Sequence, residues 1–310
     1  MEFRHTPIML NEVIDGLNIK PNGVYFDGTL GGAGHSSEIL KRLTTGLLIG
    51  CDKDSEALAV SDKRLNEISS HYKLVHNDYK NYAQIIKDLG LQAVDGILLD
   101  LGVSSYQLDN SERGFSYRYN APLDMRMDRE SFLTAKQVVN TYSQKELEHI
   151  LFAYGEEPFS KQIAKNIVLK RQEKPIETTF DLVDIIKQSL PEKVLRSKGH
   201  PAKRTFQAIR IEVNGELKDL ENTLKDMIAS LNKGGRIAVI TFHSLEDRIV
   251  KNVFKDATID CICPKEFPVC VCSHRATLKL VNKKPLEASQ LEQQENTRSQ
   301  CAKLRIAEKI

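Results

Sequence analysis

The sequence predicts an α/β fold in which a largely parallel sheet is interrupted by an all-helical insertion. Three observations lead there. Short apolar runs alternate with helix-length amphipathic stretches in the first third of the chain. Strand signals then vanish between about residues 130 and 210, and afterwards they resume. Alternation of the first kind means parallel strands joined by crossovers.

The strand-like runs are 24–26, 47–51, 72–76 and 94–99. Helical stretches at 36–43, 55–68 and 82–89 separate them, and Gly90 closes the last. In the insertion, Ser143-x-x-Glu146 is a capping box ahead of Leu147, Ile150, Leu151 and Tyr154, with Gly155 as the stop. Phe159, Ile163 and Ile167 recur every fourth residue, and Phe180, Val183, Ile186 and Leu190 form another apolar face that ends at Pro191. Gly234-Gly-Arg-Ile-Ala-Val-Ile-Thr241 reads as a turn plus a buried strand. Residues 278–281 and 302–306 read as a closing antiparallel pair. The expected organisation is therefore one α/β domain from 1–128 and 213–310, with a helical domain at 129–212.

Composition narrows the class. With 310 residues, 41% hydrophobic and 28% charged, the chain can bury a sizeable core. No apolar run approaches a membrane span and the N-terminus lacks a secretory pattern, so the expectation is a cytoplasmic protein without a membrane partner. Net charge is only +2, so a nucleic-acid-binding surface would have to be local.

The segment Tyr25-Phe-Asp-Gly-Thr-Leu-Gly-Gly-Ala-Gly-His35 is the most informative. An apolar run ends in the carboxylate of Asp27, small residues follow, and a helical pattern begins. Such a turn offers backbone N–H groups at a helix start. Seventeen residues after His35, a second run ends in Asp52, where a carboxylate suits the hydroxyls of a ribose. Two nucleoside cofactors stay open. The dinucleotide pattern G-x-G-x-x-G fits only with Ser37 in place of its third Gly, and Asp27 would repel a pyrophosphate. A cationic sulfonium would not be repelled, so the turn favours S-adenosylmethionine over NAD. A ligand-free αβ connection is the plain alternative, and a non-catalytic nucleotide-binding module is another.

Asp78 and Asp100 also lie at or just past strand ends, so four acids are expected on one rim. In Asp95-Gly-Ile-Leu-Leu-Asp100-Leu-Gly-Val-Ser-Ser-Tyr-Gln107, a buried strand delivers Asp100 to that rim ahead of a Gly-containing loop. An exocyclic amine is a poor nucleophile because its lone pair is conjugated into the ring. A carboxylate that accepts its N–H bonds localises the pair and offsets the charge as a methyl arrives. Asp100 could do this, or it could touch the cofactor alone. The cofactor contact is the stronger expectation.

Residues 193–210 carry six Lys or Arg and no acid, with His200 and Phe206 interleaved. That suits a phosphate backbone, although a solvated helix face has the same composition. Thr241, Phe242 and His243 follow a strand and could line a base pocket. Cys261-x-Cys263 and Cys270-x-Cys272 could make a tetrahedral thiolate site or simply a reduced loop. Cys51 reads as core, and Cys301 has no assigned role.

Taken together, these residues resemble the family of small-subunit ribosomal RNA methyltransferases also called MraW. The resemblance runs nearly end to end, through His5-Thr-Pro-Ile-Met-Leu10, Asp27-Gly-Thr-Leu-Gly-Gly-Ala-Gly-His35, Asp95-Gly-Ile-Leu-Leu-Asp-Leu-Gly-Val-Ser-Ser105, Glu112-Arg-Gly-Phe-Ser116, Pro122-Leu-Asp-Met-Arg-Met-Asp128, Tyr154-Gly-Glu-Glu157, His200-Pro-Ala-Lys-Arg-Thr-Phe-Gln-Ala208, Thr241-Phe-His-Ser-Leu-Glu-Asp-Arg248 and Lys303-Leu-Arg305. It implies a Rossmann-like class I methyltransferase sheet. It also implies S-adenosylmethionine as cofactor and, as substrate, N4 of a cytidine in the decoding region of 16S ribosomal RNA, within the small ribosomal subunit. Carried over by resemblance, the cofactor contacts are Ala33, Gly34, His35, Asp52, Tyr79, Asp100 and Gln107, with Asp100 as the catalytic candidate. Tyr79 stands where some relatives have Phe, and Tyr106 where many have Pro. The four-Cys segment is not shared by every member, so no metal ligand is assigned to the site.

Overall fold

A computed structural model describes residues 7–197, 199–264 and 269–310. His5 and Thr6 of the first motif, Lys198 of the basic run and Pro268 of the Cys-rich segment lie outside the described residues. The chain divides into two compact units: one runs up to Gly102 and resumes over Lys218–Ile310, and the other is Val103–Leu217.

The first unit is built on an eight-stranded sheet. Its strands are β1 (Val24–Asp27), β2 (Leu47–Asp52), β3 (Tyr72–His76), β4 (Val94–Asp100), β5 (Leu231–Thr241), β6 (Leu278–Leu280), β7 (Leu286–Glu287) and β8 (Lys303–Lys309). The order is β3-β2-β1-β4-β5-β8-β6, with β7 also pairing β8. The pairs among β1 to β5 are parallel, and β8 runs antiparallel to β5, β6 and β7. The expected closing pair is thus β6 and β8, with β8 inserted between β5 and β6. The Gly234-Gly235 turn is absorbed into β5: the register jumps from Val94↔Leu231 to Gly96↔Arg236, and Gly234 takes φ +76°.

Two apolar layers cover the sheet, as a parallel sheet requires. Phe26, Ile97, Leu99 and Val239 pack on one face with Tyr82, Ile85, Leu224 and Phe254. Tyr25, Leu48, Leu98 and Ile240 pack on the other with Val13, Leu17, Ile39 and Leu40. The helix Leu10–Leu17 had no counterpart in the sequence reading. It has no capping side chain to announce it, because Met9 sits at its N-cap with φ 55°. Its buried Val13, Ile14 and Leu17 were the available signal.

The second unit is helical. Its longer helices are Ala135–Thr141, Gln144–Gly155, Ser160–Glu173, Thr179–Ser189 and Lys203–Asn214. Ser143 closes the expected capping box with Glu146. The unit starts earlier than residue 129 because Phe115, Leu123, Met125 and Met127 are buried in the same apolar cluster as the helices. The buried Arg113 fixes that segment by donating to the carbonyls of Arg126 and Met127 at 3.0 and 2.9 Å. Phe180, read as part of a buried face, is 42% exposed, whereas Val183 and Ile186 are buried.

Candidate active site at the carboxyl ends of the strands

Strand order reverses at β1, whose neighbours β2 and β4 lie on opposite sides. Ligands of open parallel sheets bind at such a switch point, beyond the carboxyl ends of the strands. Side chains alternate along a strand. Asp27 therefore shares a face with Tyr25, Asp52 with Leu48, and Asp100 with Leu98. All three acids end strands on the face covered by the helices Leu10–Leu17 and Gly34–Leu40.

The turn after β1 is held from several directions. The Asp27 carboxylate, 2% exposed, accepts from Ser36 Oγ at 2.7 Å and from the Thr29 N–H at 3.1 Å. Asp52 accepts from the N–H groups of Gly31 and Asp54 at 2.8 and 2.9 Å. Ser61 Oγ and Arg64 hold the carbonyls of Gly31 and Gly32 at 2.7 and 3.0 Å. Thr29 Oγ1 accepts from the Asp100 N–H at 2.6 Å, so the turn is latched to the end of β4. Gly28 is required by close approach, because a Cβ there would lie 2.6 Å from Leu99 Cδ2 and 2.9 Å from Tyr79 Cβ. Ala33, fully buried, takes φ 54° at the N-cap of the helix Gly34–Leu40. A non-Gly residue in that region is uncommon and is held there by its surroundings. Sequence reasoning missed Thr29, Ser36, Ser61 and Arg64. Thr29 and Ser36 both follow Asp27 in the turn and the first helical residues after it, which was the signal available for them.

His35 is turned inward. Its Nε2 lies 3.0 Å from the Ile8 carbonyl, which can only accept, so Nε2 carries the proton and Nδ1 is bare. Burial lowers its ring to about 4, outweighing the Ile8 bond. Nδ1 faces Asp100 Oδ2 at 3.8 Å. Burial pushes the Asp100 carboxyl up to about 8, with the charges of Asp27 and Glu246 adding to it. Burial likewise raises Asp27 to about 6, against its Ser36 and Thr29 bonds. Burial also raises Asp52, against the two N–H bonds it accepts. At neutral pH the His35–Asp100 pair is therefore a neutral ring beside a protonated acid rather than an ion pair. The Asp100 side chain is 28% exposed, yet its Oδ1 is shielded and has no hydrogen-bond partner.

The remaining expected residues divide. Tyr79 opens a short 3-10 turn capped by Asp78 and stands beside the end of β1 at Gly28. Gln107 belongs to the helical unit, where it is 4% exposed and closes a capping box with Ser104. The other expected cofactor residues, Ala33, Gly34, His35, Asp52, Tyr79 and Asp100, are together in the α/β unit. Thr241 is fully buried, which takes it out of the expected base pocket, and His243 is the N-cap of the helix Ser244–Ala257. Phe242 packs against the site of Gly102, where a Cβ would lie 3.3 Å from its ring.

Buried acids that repel one another, one with an orphaned oxygen, fit a cationic ligand and not a pyrophosphate. With a sheet in which an antiparallel strand is inserted beside β5, this defines a Rossmann-like class I methyltransferase. More particularly, the chain belongs to the MraW methylase family, whose family model matches residues 2–310. It is 54% identical over 311 aligned residues to the ribosomal RNA small subunit methyltransferase H of Lachnospira eligens, covering all of this chain and 99% of that protein. It is 51% identical to the protein of that name from Finegoldia magna and 52% to that from Clostridioides difficile, with both chains covered in full.

Proposed function

We propose that this chain transfers a methyl group from S-adenosylmethionine to N4 of a cytidine in the decoding region of 16S ribosomal RNA, acting in the cytoplasm on RNA of the small ribosomal subunit. The single observation that carries the reading is the Asp100 carboxyl. It is a half-buried acid with a shielded, unpartnered Oδ1 at the switch point, in a chain whose full-length relatives bear ribosomal RNA methyltransferase names. No helix among the described residues is long and apolar enough to cross a membrane.

When bound, the cofactor supplies an electrophilic methyl group. The residues of the chain bind and orient. Asp52 accepts from ribose hydroxyls with the lone pairs that the Gly31 and Asp54 N–H groups leave free. Tyr79 offers its ring to adenine. Ala33, Gly34 and His35 contribute backbone, since the His35 ring is committed to Ile8. Asp100 offsets cationic charge on the cofactor and, in part, accepts an N–H bond from the target amine. Gln107 is a further contact assigned by family resemblance. No Cys lies between Asp100 and Gln107, which agrees with direct transfer to nitrogen rather than a covalent ring adduct.

RNA falls to the helical unit. Lys203 and Arg204 are exposed at the start of the helix Lys203–Asn214. Arg210, by contrast, is tied to Glu216 by two bonds of 2.8 Å. Tyr117 stacks on His200 with ring centroids 4.2 Å apart, in a cavity of about 350 Å³ that Arg118, Phe180 and Lys187 also line. Stacking rings beside cations suit single-stranded RNA. The test is to map cytidine N4 methylation in small-subunit RNA from cells with and without this chain. Unchanged methylation at every cytidine would refute the reading.

A further inference from the structure

Among its described residues, the connection between the helix Ser244–Ala257 and β6 has no buried side chain to hold it together. It runs over residues 258–277, and no described residue in it belongs to a helix or strand or is buried. Ile262, Val269 and Val271 are 64%, 70% and 70% exposed, so these three side chains make no core. Its base is nonetheless closed, by the Thr277 N–H on the Ala257 carbonyl at 2.8 Å and the Ala276 N–H on Asp260 at 3.2 Å. A long excursion of this kind inside a compact unit needs a staple.

Four cysteines supply the ligands. The sulfurs of Cys261, Cys263, Cys270 and Cys272 all lie within 4.8 Å of one another. Cys261 to Cys270 is 3.4 Å, Cys270 to Cys272 is 3.6 Å, and Cys272 to Cys261 is 3.8 Å. A disulfide requires about 2.05 Å, so these are not bonded pairs. A tetrahedral zinc site with Zn–S bonds of about 2.3 Å places its sulfurs about 3.8 Å apart. The observed spacing is that of the coordination shell. Backbone donors complete it. The Ile262 N–H points at Cys272 Sγ at 3.4 Å and the Val271 N–H at Cys263 Sγ at 3.3 Å. Such N–H···S contacts stabilise thiolate charge around a metal. The intervening amide of each C-x-C pair thus points at a sulfur of the other pair.

We propose that Cys261, Cys263, Cys270 and Cys272 bind one zinc ion, which holds the 258–277 excursion folded in place of an apolar core. Four soft thiolates with no open position select zinc and make the site structural, not catalytic. The proposal is independent of the methyl-transfer reading and is read by metal content rather than activity.

The test uses the full chain, purified under reducing conditions without chelator or metal-affinity resin, and total metal analysis. About one zinc per chain is expected, with near-complete loss in Cys263→Ser and in Cys270→Ser. Cys301→Ser, outside the cluster, should keep the metal. Reconstitution of metal-stripped wild type with cobalt should give the intense visible absorption of a tetrahedral thiolate site, and this needs no variant to fold. Metal removal should open residues 258–277 to protease, and zinc should restore protection. Wild-type protein that carries no stoichiometric metal and gives no such cobalt spectrum overturns the proposal. So does iron in place of zinc, or mass spectrometry that finds these cysteines joined as disulfides in the native chain.

Discussion

The acids at the rim of the sheet and two acids of the helical unit are treated in opposite ways. In the helical unit, burial works against Asp124, but the Arg126 guanidinium holds its carboxyl below the ordinary value. Burial also works against Asp181, and the Thr178 and Glu177 N–H groups still hold it down. There, each acid is paired where it sits. In the α/β unit Asp27 and Asp100 are raised to about 6 and 8, burial being the main cause, with a neighbouring acid adding to the rise. Among the described residues, no Lys or Arg pairs with either of them. The helical unit uses charge for its own stability, whereas the rim of the sheet holds carboxyls whose ionised form burial disfavours and a cationic ligand would favour.

The strongest way to break that comparison is Asp100→Asn. Loss of a charged partner costs roughly 1.5–3 kcal/mol, or about 10- to 150-fold in cofactor affinity. Turnover at saturating cofactor should recover only in part, because Asn keeps the shape but not the charge. Wild-type affinity with a wild-type single-turnover rate would remove Asp100 from both roles. Asp52→Ala should weaken cofactor binding by about the same factor and leave the rate of the bound complex unaltered. Unchanged affinity in a titration would show that Asp52 does not face the ribose.

A third expectation follows from the sign of the Asp100 shift. Its folded value lies above the unfolded one, so its stabilising contribution is present at low pH. That contribution is lost as pH rises from the ordinary carboxylate range through about 8. The ligand-free wild type should therefore lose stability relative to Asp100→Asn over that window. Binding a cationic cofactor should expel the proton, so affinity should rise by up to about tenfold per pH unit below pH 8. Calorimetry in buffers of different ionisation enthalpy counts the proton. No release at pH 7 would mean that the carboxyl is already ionised in the free protein.

What was legible in the sequence follows the same division. Asp27, Asp52 and Asp100 were readable because each ends an apolar run, and strand periodicity then fixes the face they share. The neutral state of His35 was not readable. It depends on burial, which outweighs the bond to the Ile8 carbonyl 27 positions away. The burial of Thr241 and the capping role of His243 also escaped, because a residue just past a strand can cap the next helix as readily as line a pocket. The start of the helical unit was missed for want of periodicity: Phe115, Leu123, Met125 and Met127 reach its core from irregular chain.

In the helical unit the expected effects are smaller and spare the cofactor. Lys203→Ala with Arg204→Ala should weaken RNA binding and reduce its salt slope by about 1.4, at about 0.7 per phosphate contact on a single strand. Arg204 also donates to the Glu156 carbonyl at 3.1 Å, so thermal melting should accompany the measurement. An unaffected slope would make the basic run a solvated face.

The smallest effect is the cleanest separation of the two units. Ser143 Oγ accepts from the Glu146 N–H at 3.3 Å, while Glu146 accepts from the Ser143 N–H at 2.7 Å. The box caps the helix Gln144–Gly155, whose Leu147, Ile150 and Leu151 are buried in the core of the helical unit. Ser143→Ala removes one of those bonds and leaves an N–H at the helix start to water. Such a change costs about 1 kcal/mol. In a chain of this size that lowers the melting temperature by roughly 2–4 °C. Cofactor affinity should not move, because no acid of the sheet rim takes part. A Ser143→Ala protein that melts normally but binds cofactor more weakly would contradict the division, since the rim acids of the α/β unit would then be answering to a helix cap in the other.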